Sequence, residues 1–141
     1  MFMGNFIHST DEKGRVAIPS EWRSRADTEL TQWVITQGFD DCLLLYTETE
    51  WQKFMDKVKE LPYSHTKNRL IMRKTVAPAR NVSCDKQGRI LIPQNLREYA
   101  KVDKEVVLAG MITRIEIWDK KMWEDLQSKE LSEEDLLHLD F

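Results

Sequence analysis

A carboxylate, a glycine and an arginine recur with the same spacing in two stretches of this 141-residue chain. DEKGRVAIP begins at Asp11 and DKQGRILIP begins at Asp85, and Asp, Gly, Arg, Ile and Pro are identical in both. An Asp three residues before a Gly is typical of a tight turn, because the carboxylate accepts backbone amides and glycine adopts positive φ. The arginine that follows can bind an anion, since its planar guanidinium forks onto phosphate or onto the O6 and N7 of guanine.

The charge distribution favours a polyanionic partner for these turns. Residues 124–141 hold seven acids and one base, which leaves 17 acids and 20 bases in residues 1–123. Between Lys67 and Arg97, eight bases stand against one acid. Such a polarised chain attracts phosphate at long range. The predicted DNA-contacting residues are those of the two turns, with two arginines of a predicted helix as further phosphate contacts: Asp11, Lys13, Arg15, Asp85, Lys86 and Arg89, then Arg69 and Arg73.

A purely structural interpretation of the turns stays open. Asp11 could pair with Arg15, and Asp85 with Arg89, only to stiffen each hairpin. An exposed ion pair contributes at most about 1 kcal/mol, which is a weak reason to have both residues in both turns. The two roles are also compatible, because an Asp can orient an Arg that reaches DNA.

The strands that must position the turns are repeated as well, which indicates a duplicated unit rather than a solenoid. Alternating apolar residues predict a short strand before each turn and another directly after it. Two further strands complete each copy. The predicted strands are 6–10, 15–18, 33–36 and 42–46 in the first copy, and 81–84, 89–92, 106–109 and 114–118 in the second.

Short helices are predicted next to these strands. Pro19 and Pro93 should each end a strand and open a short helix. In these helices Trp22 and Leu96 are predicted to point inward, and Arg23 and Arg97 outward. Thr49 and Gln52 have the spacing of a capping box. A helix from Ser64 would carry Arg69 and Arg73 one turn apart, and a helix over 122–129 precedes an acidic, leucine-bearing tail.

These elements predict a mainly β fold with flanking helices, of the α+β class. A copy of about forty residues is too small to bury a stable core alone. The copies are therefore expected to close each other's open strand edges in one pseudo-symmetric barrel. The predicted divisions are a first repeat at 5–48, connecting helices at 49–77, a second repeat at 78–121, and a C-terminal helix with the acidic tail at 122–141.

Composition and motifs argue against catalysis, membrane insertion and a metal site. The apolar runs are too short to span a bilayer, and the N-terminus lacks the pattern of a secretory signal. Cys42 and Cys84 have no CxxC partner, which is typical of a reducing, cytoplasmic setting. Because His8, His65 and His138 lack metal-site spacing and no nucleophile or nucleotide motif occurs, we expect no enzyme activity, no cofactor and no metal.

Over nearly its whole length the sequence resembles the MraZ family of bacterial transcriptional regulators. The matching stretches are MFMGNFIHSTDEKGRVAIPSEWR, CDKQGRILIPQNLREYA and KEVVLAGMITRIEIWDKKMW. The resemblance extends to Leu126 and implies two tandem AbrB/SpoVT-like repeats forming a swapped-hairpin (double-split) β-barrel. It also implies that the two Asp-x-x-x-Arg motifs, Asp11–Arg15 and Asp85–Arg89, contact DNA. The sequence departs from the family pattern at Trp22, where Phe is expected, and in the unmatched tail.

The resemblance further implies a partner and an assembly. Family members bind short direct repeats of double-stranded DNA in the promoter of the division and cell-wall gene cluster, including their own promoter. They assemble into closed rings of several subunits. A cytoplasmic, nucleoid-associated, ring-shaped homo-oligomer with no membrane partner and no small-molecule substrate is therefore expected.

The alternative function is a protein-interaction scaffold built on the same duplicated barrel, without direct DNA contact. Its surface would come from C-terminal aromatic and leucine residues: Trp118, Trp123, Leu126, Leu131, Leu136, Leu137 and Leu139. A simpler explanation is that these residues pack the last helix and leave a mobile acidic end. Salt separates the two functions, because arginine-mediated DNA binding falls steeply with ionic strength while apolar association does not.

Overall fold

The computed structural model describes residues 1–25 and 28–139 of the chain. Its strands are β1 Asn5–Ser9, β2 Arg15–Ala17, β3 Ser24–Arg25, β4 Thr28–Glu29, β5 Gln32–Gln37, β6 Leu43–Thr47, β7 Arg80–Ser83, β8 Arg89–Leu91, β9 Glu105–Gly110 and β10 Ile115–Asp119. Its helices are α1 Ser20–Arg23, α2 Glu48–Val58, α3 Thr66–Thr75, α4 Gln94–Tyr99, α5 Lys120–Gln127 and α6 Glu133–Leu137. The protein is mainly β with flanking helices, which confirms the predicted class.

Six strands form one antiparallel sheet in which the two copies exchange partners. The strand order is β1-β9-β10-β6-β5-β7. β1 of the first copy pairs with β9 of the second, and β7 of the second copy pairs with β5 of the first. At the centre β6 and β10, one from each copy, pair with Leu45 opposite Ile115 and Leu43 opposite Ile117. A pseudo-twofold axis between β6 and β10 therefore relates the two halves of the sheet.

The strands that follow the two turns form a separate two-stranded antiparallel ribbon, β2 with β8. Three residue pairs stand opposite one another in it: Arg15–Leu91, Val16–Ile90 and Ala17–Arg89. Two backbone bonds extend the pairing, because the Ile18 amide donates to the Gly88 carbonyl over 2.9 Å and the Ile92 amide donates to the Gly14 carbonyl over 3.0 Å. The ribbon, like the sheet, is thus built by both copies.

Two apolar clusters hold these layers together. The main core lies between sheet and ribbon and draws on both copies: Phe2, Val16, Ile18, Trp22, Trp33, Ile35, Leu43, Leu45, Ile90, Ile92, Leu96, Ala100, Val106, Leu108, Ile115 and Ile117. A second cluster on the other face of the sheet packs against α2 and α5: Cys42, Leu44, Tyr46, Val107 and Trp118, with Trp51, Phe54, Met122, Trp123 and Leu126. Each fully buried large aliphatic side chain contributes about 1.5–3 kcal/mol relative to exposure. The inward direction predicted for Trp22 and Leu96 is confirmed.

The start of α2 differs from the sequence prediction. Its cap is Thr47, whose hydroxyl accepts the Glu50 amide over 3.2 Å. The predicted capping box of Thr49 with Gln52 is therefore wrong, and the Gln52 side-chain amide instead donates to Asp56 over 3.0 Å. The reason is that β6 runs directly into the helix, so its last residue already has the extended backbone that a cap requires.

The C-terminal tail contains more regular structure than its composition indicates. After α5, residues Ser132 and Asp135 form a capping box, with bonds of 3.1 Å to the Asp135 amide and 2.9 Å to the Ser132 amide. This box starts α6.

Earlier in the chain, α3 begins at Thr66 rather than at the predicted Ser64. No helix in the ranges that the structure describes is long and apolar enough to cross a membrane.

The predicted barrel is not a closed one. β1 and β7 stand at the two ends of the sheet, and no ladder joins them within residues 1–25 and 28–139. Each three-residue strand of the ribbon pairs with its counterpart from the other copy instead of with the strand that precedes its turn. The ribbon therefore packs over the main core as a separate layer.

Candidate nucleic-acid interface

One carboxylate closes the first Asp-x-x-x-Arg turn, residues 11–15. Oδ1 of Asp11 accepts the backbone amides of Lys13 and Arg15 at 3.0 and 2.8 Å, and Oδ2 accepts Nε of Arg15 at 2.6 Å. The Gly14 amide donates to the Asp11 carbonyl over 3.0 Å. Gly14 has φ +85°, a conformation that side chains rarely adopt. The same carboxylate thus fixes the turn and the direction of its arginine.

The second turn, residues 85–89, repeats this bonding. Oδ1 of Asp85 accepts the amides of Gln87 and Arg89, each at 2.9 Å, and Oδ2 accepts Nε of Arg89 at 2.9 Å. Gly88 has φ +76°, and its amide donates to the Asp85 carbonyl over 3.0 Å. The two turns are therefore equivalent in hydrogen bonding and related by the pseudo-twofold axis.

Both turn carboxyls are held in their charged form. The pKa of Asp11 lies below its ordinary value of 3.8, chiefly because the Arg15 amide donates to it, and the Arg15 guanidinium adds to the effect. The amide and guanidinium of Arg89 lower the pKa of Asp85 in the same way. Of the guanidinium nitrogens of Arg15 and Arg89, only Nε of each donates a hydrogen bond among the described residues. The terminal guanidinium nitrogens of both arginines therefore have no hydrogen-bond acceptor among the described residues and can still bind a ligand.

Arg15 and Arg89 lie on the same outer face of the ribbon. Opposed residues of an antiparallel ladder share a face, and so do alternate residues along one strand. The register therefore puts Arg15, Ala17, Arg89 and Leu91 on one face, while the central Val–Ile pair is buried in the core. The two arginine side chains are 32% and 30% exposed. Nη1 of Arg89 also lies 3.7 Å from Oδ2 of Asp11, in the other copy's turn. One ligand can therefore meet both arginines.

The lysines of the two turns are exposed but occupy different positions. Lys13 is the third residue of the first turn, and Lys86 is the second residue of the second turn. The place of Lys86 is taken by Glu12 in the first turn. Residues 11–15 therefore hold two acids and two bases, whereas residues 85–89 hold one acid and two bases. The second turn carries the greater positive charge.

The two arginines of α3 lie on a different element and differ from each other. Nη1 of Arg69 donates to the carbonyls of Tyr63 and Ser64 at 3.0 and 2.9 Å. Its guanidinium carbon also lies 6.0 Å from the centre of the Tyr63 ring. These contacts tie the start of α3 to the preceding loop. Arg73, by contrast, is exposed, and contact of either arginine with phosphate stays a prediction.

Two further arginines lie against the turns, and the outward direction predicted for them is wrong. Arg23 and Arg97 are half-buried rather than simply outward. The guanidinium of Arg97 occupies the place that a Cβ on Gly14 would take, and Arg23 occupies the corresponding place at Gly88. The recurrence of an Arg four residues after each Pro was visible in the sequence. Its target was not, because each arginine covers the turn of the other copy.

The histidines lie on separate parts of the chain. His8 is in β1, His65 precedes α3, and His138 follows α6. Within the described part of the protein, no three His, Cys, Asp or Glu side chains are grouped so that they could hold a metal ion. The turns instead bring together carboxylate–guanidinium pairs, Asp11 with Arg15 and Asp85 with Arg89.

The fold and the site define a duplicated β protein whose two copies jointly present a pair of arginine turns on one face. The sequence model of the MraZ protein family matches residues 1–74 and 76–140 of the chain. The chain belongs to the MraZ family.

Curated relatives support this assignment over most of the chain. A protein of Desulforamulus reducens named "Transcriptional regulator MraZ" is 44% identical over 88% of this chain and 85% of its own length. The protein of the same name from Acetivibrio thermocellus is 45% identical over 92% of this chain and 89% of its own. That from Carboxydothermus hydrogenoformans is 43% identical over 87% and 84%.

Proposed function

We propose that this protein is a sequence-specific DNA-binding transcriptional regulator and not an enzyme. The observation that carries the proposal is the placement of Arg15 and Arg89 on one outer face of the ribbon, each held through Nε by the carboxylate of its own turn. The three relatives are each named as a transcriptional regulator, which supports the proposal.

In this proposal the ribbon is the element that approaches the duplex. A two-stranded antiparallel ribbon fits the major groove of DNA. There the turn arginines fork onto guanine edges or onto phosphates, while Asp11 and Asp85 orient them. Lys13 and Lys86 add phosphate contacts, which fix position without reading sequence. Arg73 is the better placed of the two α3 candidates for a further phosphate contact, because the nitrogens of Arg69 are already bonded within the protein.

Repetition of the subunit would supply the affinity that one ribbon lacks. A single subunit offers few cations, so its binding should be weak and strongly dependent on salt. A ring-shaped homo-oligomer on direct repeats would engage several ribbons together and gain avidity. We propose the promoter of the division and cell-wall gene cluster, including the protein's own, as the site of these repeats. Action there places the protein in the cytoplasm, associated with the nucleoid.

The repeat organisation fits this proposal. We propose AbrB/SpoVT-like repeats at 5–48 and 78–121, joined by connecting helices at 49–77 and followed by the C-terminal helix and tail at 122–141. The exchange of β1 and β7 between the copies is the strand arrangement expected of swapped hairpins. A swapped-hairpin barrel would present the two turns as one symmetric unit.

A protein-interaction scaffold is the second candidate, and the exposed tail favours it. Leu131, Leu137 and Leu139 are 70%, 78% and 64% exposed. Trp118, by contrast, is buried, and Trp123 and Leu126 pack against the sheet. Of these C-terminal candidates, the leucines at the end of the described tail are therefore the ones that offer an exposed apolar surface. Its acidic surroundings make it unsuited to a nucleic acid.

The test is binding to the duplex that lies upstream of the protein's own coding sequence, with a scrambled duplex alongside. We expect Arg15→Ala and Arg89→Ala each to weaken binding by roughly 5-fold to 150-fold, because a forked base contact contributes about 1–3 kcal/mol. Fluorescence anisotropy at fixed salt measures the affinity. Repeating the titration over a range of salt concentrations gives the number of ions released.

Lys129→Ala is the matched control, since it also removes one positive charge but lies exposed in the acidic C-terminal region, outside both turns. It should leave the affinity nearly unchanged at the same salt. If both turn variants bind the upstream duplex as tightly as the unmodified protein, the DNA-binding proposal is wrong. Binding of a protein partner that resists high salt and depends on the tail leucines would then favour the scaffold.

A further inference from the structure

Each turn glycine is held by two groups from the other copy. The carbonyl of Gly14 accepts the Ile92 amide over 3.0 Å. The guanidinium of Arg97 overlaps the position that a Cβ on Gly14 would take. Gly88 is held in the same way: its carbonyl accepts the Ile18 amide over 2.9 Å, and Arg23 covers it. Both turns are therefore braced across the pseudo-twofold axis.

The two bracing arginines are not bonded alike. Nε of Arg23 donates to the Ile18 carbonyl over 2.9 Å. Nε of Arg97 is buried and has no hydrogen-bond acceptor among the described residues. A desolvated N–H without an acceptor is unfavourable. No hydrogen bond from Nε therefore accounts for the position of Arg97. Its contact with Gly14 is the feature that the two arginines share.

We propose that Arg97 is a positioning residue for Arg15, and Arg23 for Arg89. The turn that presents each arginine is thus held in shape by the copy that does not contain it. The proposal deepens the proposed DNA-binding function and rests on that function for its DNA readout. Its structural content, a brace that crosses between copies, can be measured without DNA.

A turn glycine needs such a brace because its backbone is conformationally free. A glycine with positive φ has no side chain to restrict it, so the residue after it can sample several directions. A planar guanidinium lying on Gly14, together with the bond to its carbonyl, limits this motion directly before Arg15. An arginine held in its binding direction loses less conformational entropy when a ligand arrives. The brace therefore preorganises the DNA-binding face.

Hydrogen exchange of the turn amides tests whether each bracing arginine stabilises the turn of the other copy and not the turn of its own. In Arg97→Met, which keeps a long side chain without the guanidinium, the amides of Gly14 and Arg15 should exchange at least 10-fold faster. The amides of Gly88 and Arg89 should keep their rates. Arg23→Met should give the mirror result, and Arg73→Met is the control that changes neither turn. Equal acceleration of both turns, acceleration in the variant's own copy, or no change would each overturn the proposal.

A double-mutant cycle on the upstream duplex tests the consequence for binding. Arg97→Met should weaken binding about 5-fold in the unmodified protein and again in Arg89→Ala, but should add nothing in Arg15→Ala. If it still weakens binding in the Arg15→Ala background, Arg97 contacts DNA on its own account and the positioning role is wrong. If neither turn arginine affects binding, the DNA-binding proposal fails, while the exchange experiment still decides on the brace.

Circular dichroism and the melting temperature verify that every variant is folded. Where Arg97→Met does not fold, Arg97→Lys replaces it. Lysine keeps the charge and the stem but cannot lay a planar group on Gly14. The same turn-specific exchange pattern is therefore expected, and its absence in folded Arg97→Lys would contradict the brace.

Discussion

The first and second turns have the same bonds but different charges. In both, one carboxylate holds two backbone amides and an arginine Nε, and the glycine has positive φ. Glu12 leaves the first turn with balanced charges, whereas the second turn has one more base than acids. Geometry and electrostatics are thus separable in this site. The hydrogen bonds place the arginines, and the neighbouring side chains set the net charge of each turn.

The largest expected effect comes from filling the space at a turn glycine. Gly14→Ala and Gly88→Ala should each lower the free energy of unfolding, first because positive φ costs an L-residue about 1–2 kcal/mol. A second loss arises because the new Cβ must displace the guanidinium of Arg97 or Arg23. Chemical denaturation measures both variants. Equal losses in the two turns would support their structural equivalence.

Gly4→Ala is the matched control for this pair. Gly4 has φ +87°, but nothing lies within 4 Å of the place that its Cβ would take. Its substitution should therefore cost only the backbone strain. A loss at Gly14 no greater than that at Gly4 would show that the guanidinium of Arg97 does not press on the turn.

Acid should open both turns together. A carboxyl whose pKa is lowered by folding stabilises the folded state above its ordinary value, here 3.8, and this stabilisation is lost as pH falls through the lower folded value. The turn bonds should therefore be intact from neutral pH down to 3.8 and weaken below it. Carboxyl carbon chemical shifts of Asp11 and Asp85 follow the two titrations. A midpoint above 3.8 for either carboxyl would contradict its role as a bonded acceptor.

Changing Glu12 should make the first turn more like the second. Glu12→Gln removes one negative charge beside Arg15 without touching the bonds of Asp11, so affinity for the upstream duplex should rise about 2-fold to 5-fold at low salt. The gain should disappear at high salt because exposed charges are screened. Glu130→Gln, an equal charge change in the exposed tail, is the control. An equal gain from Glu130→Gln would mean that only net charge matters.

The smallest expected effect is a local change at Cys84, which directly precedes the second turn. Burial raises the pKa of the Cys42 thiol to about 12, with the charges of Glu116 and Asp40 adding to the effect, so Cys42 should not react at pH 8. Alkylation should therefore modify the half-buried Cys84 first. Bound DNA should slow this reaction modestly. An unchanged rate with saturating duplex would place the DNA away from the second turn.

Local elements could be read from the sequence, but their partners could not. Alternating apolar residues and the Asp-x-x-Gly pattern correctly place the strands and turns around Arg15 and Arg89. Periodicity gives a strand its faces but not its neighbour, so the pairing of β2 with β8 was not predictable. The same limit explains why Arg23 and Arg97 were directed outward: a short helix leaves its side chains close to whatever the other copy brings there. The cap of α2 was misplaced by two residues because strand and helix are contiguous.

The strand exchange has a consequence for the backbone between α2 and α3. The six-stranded sheet, the ribbon and both apolar clusters are each shared by the two halves of the chain. A single proteolytic nick in residues 59–65 would therefore leave two fragments interlocked rather than released. By the same logic, either half alone would have to recruit a second molecule to complete its fold.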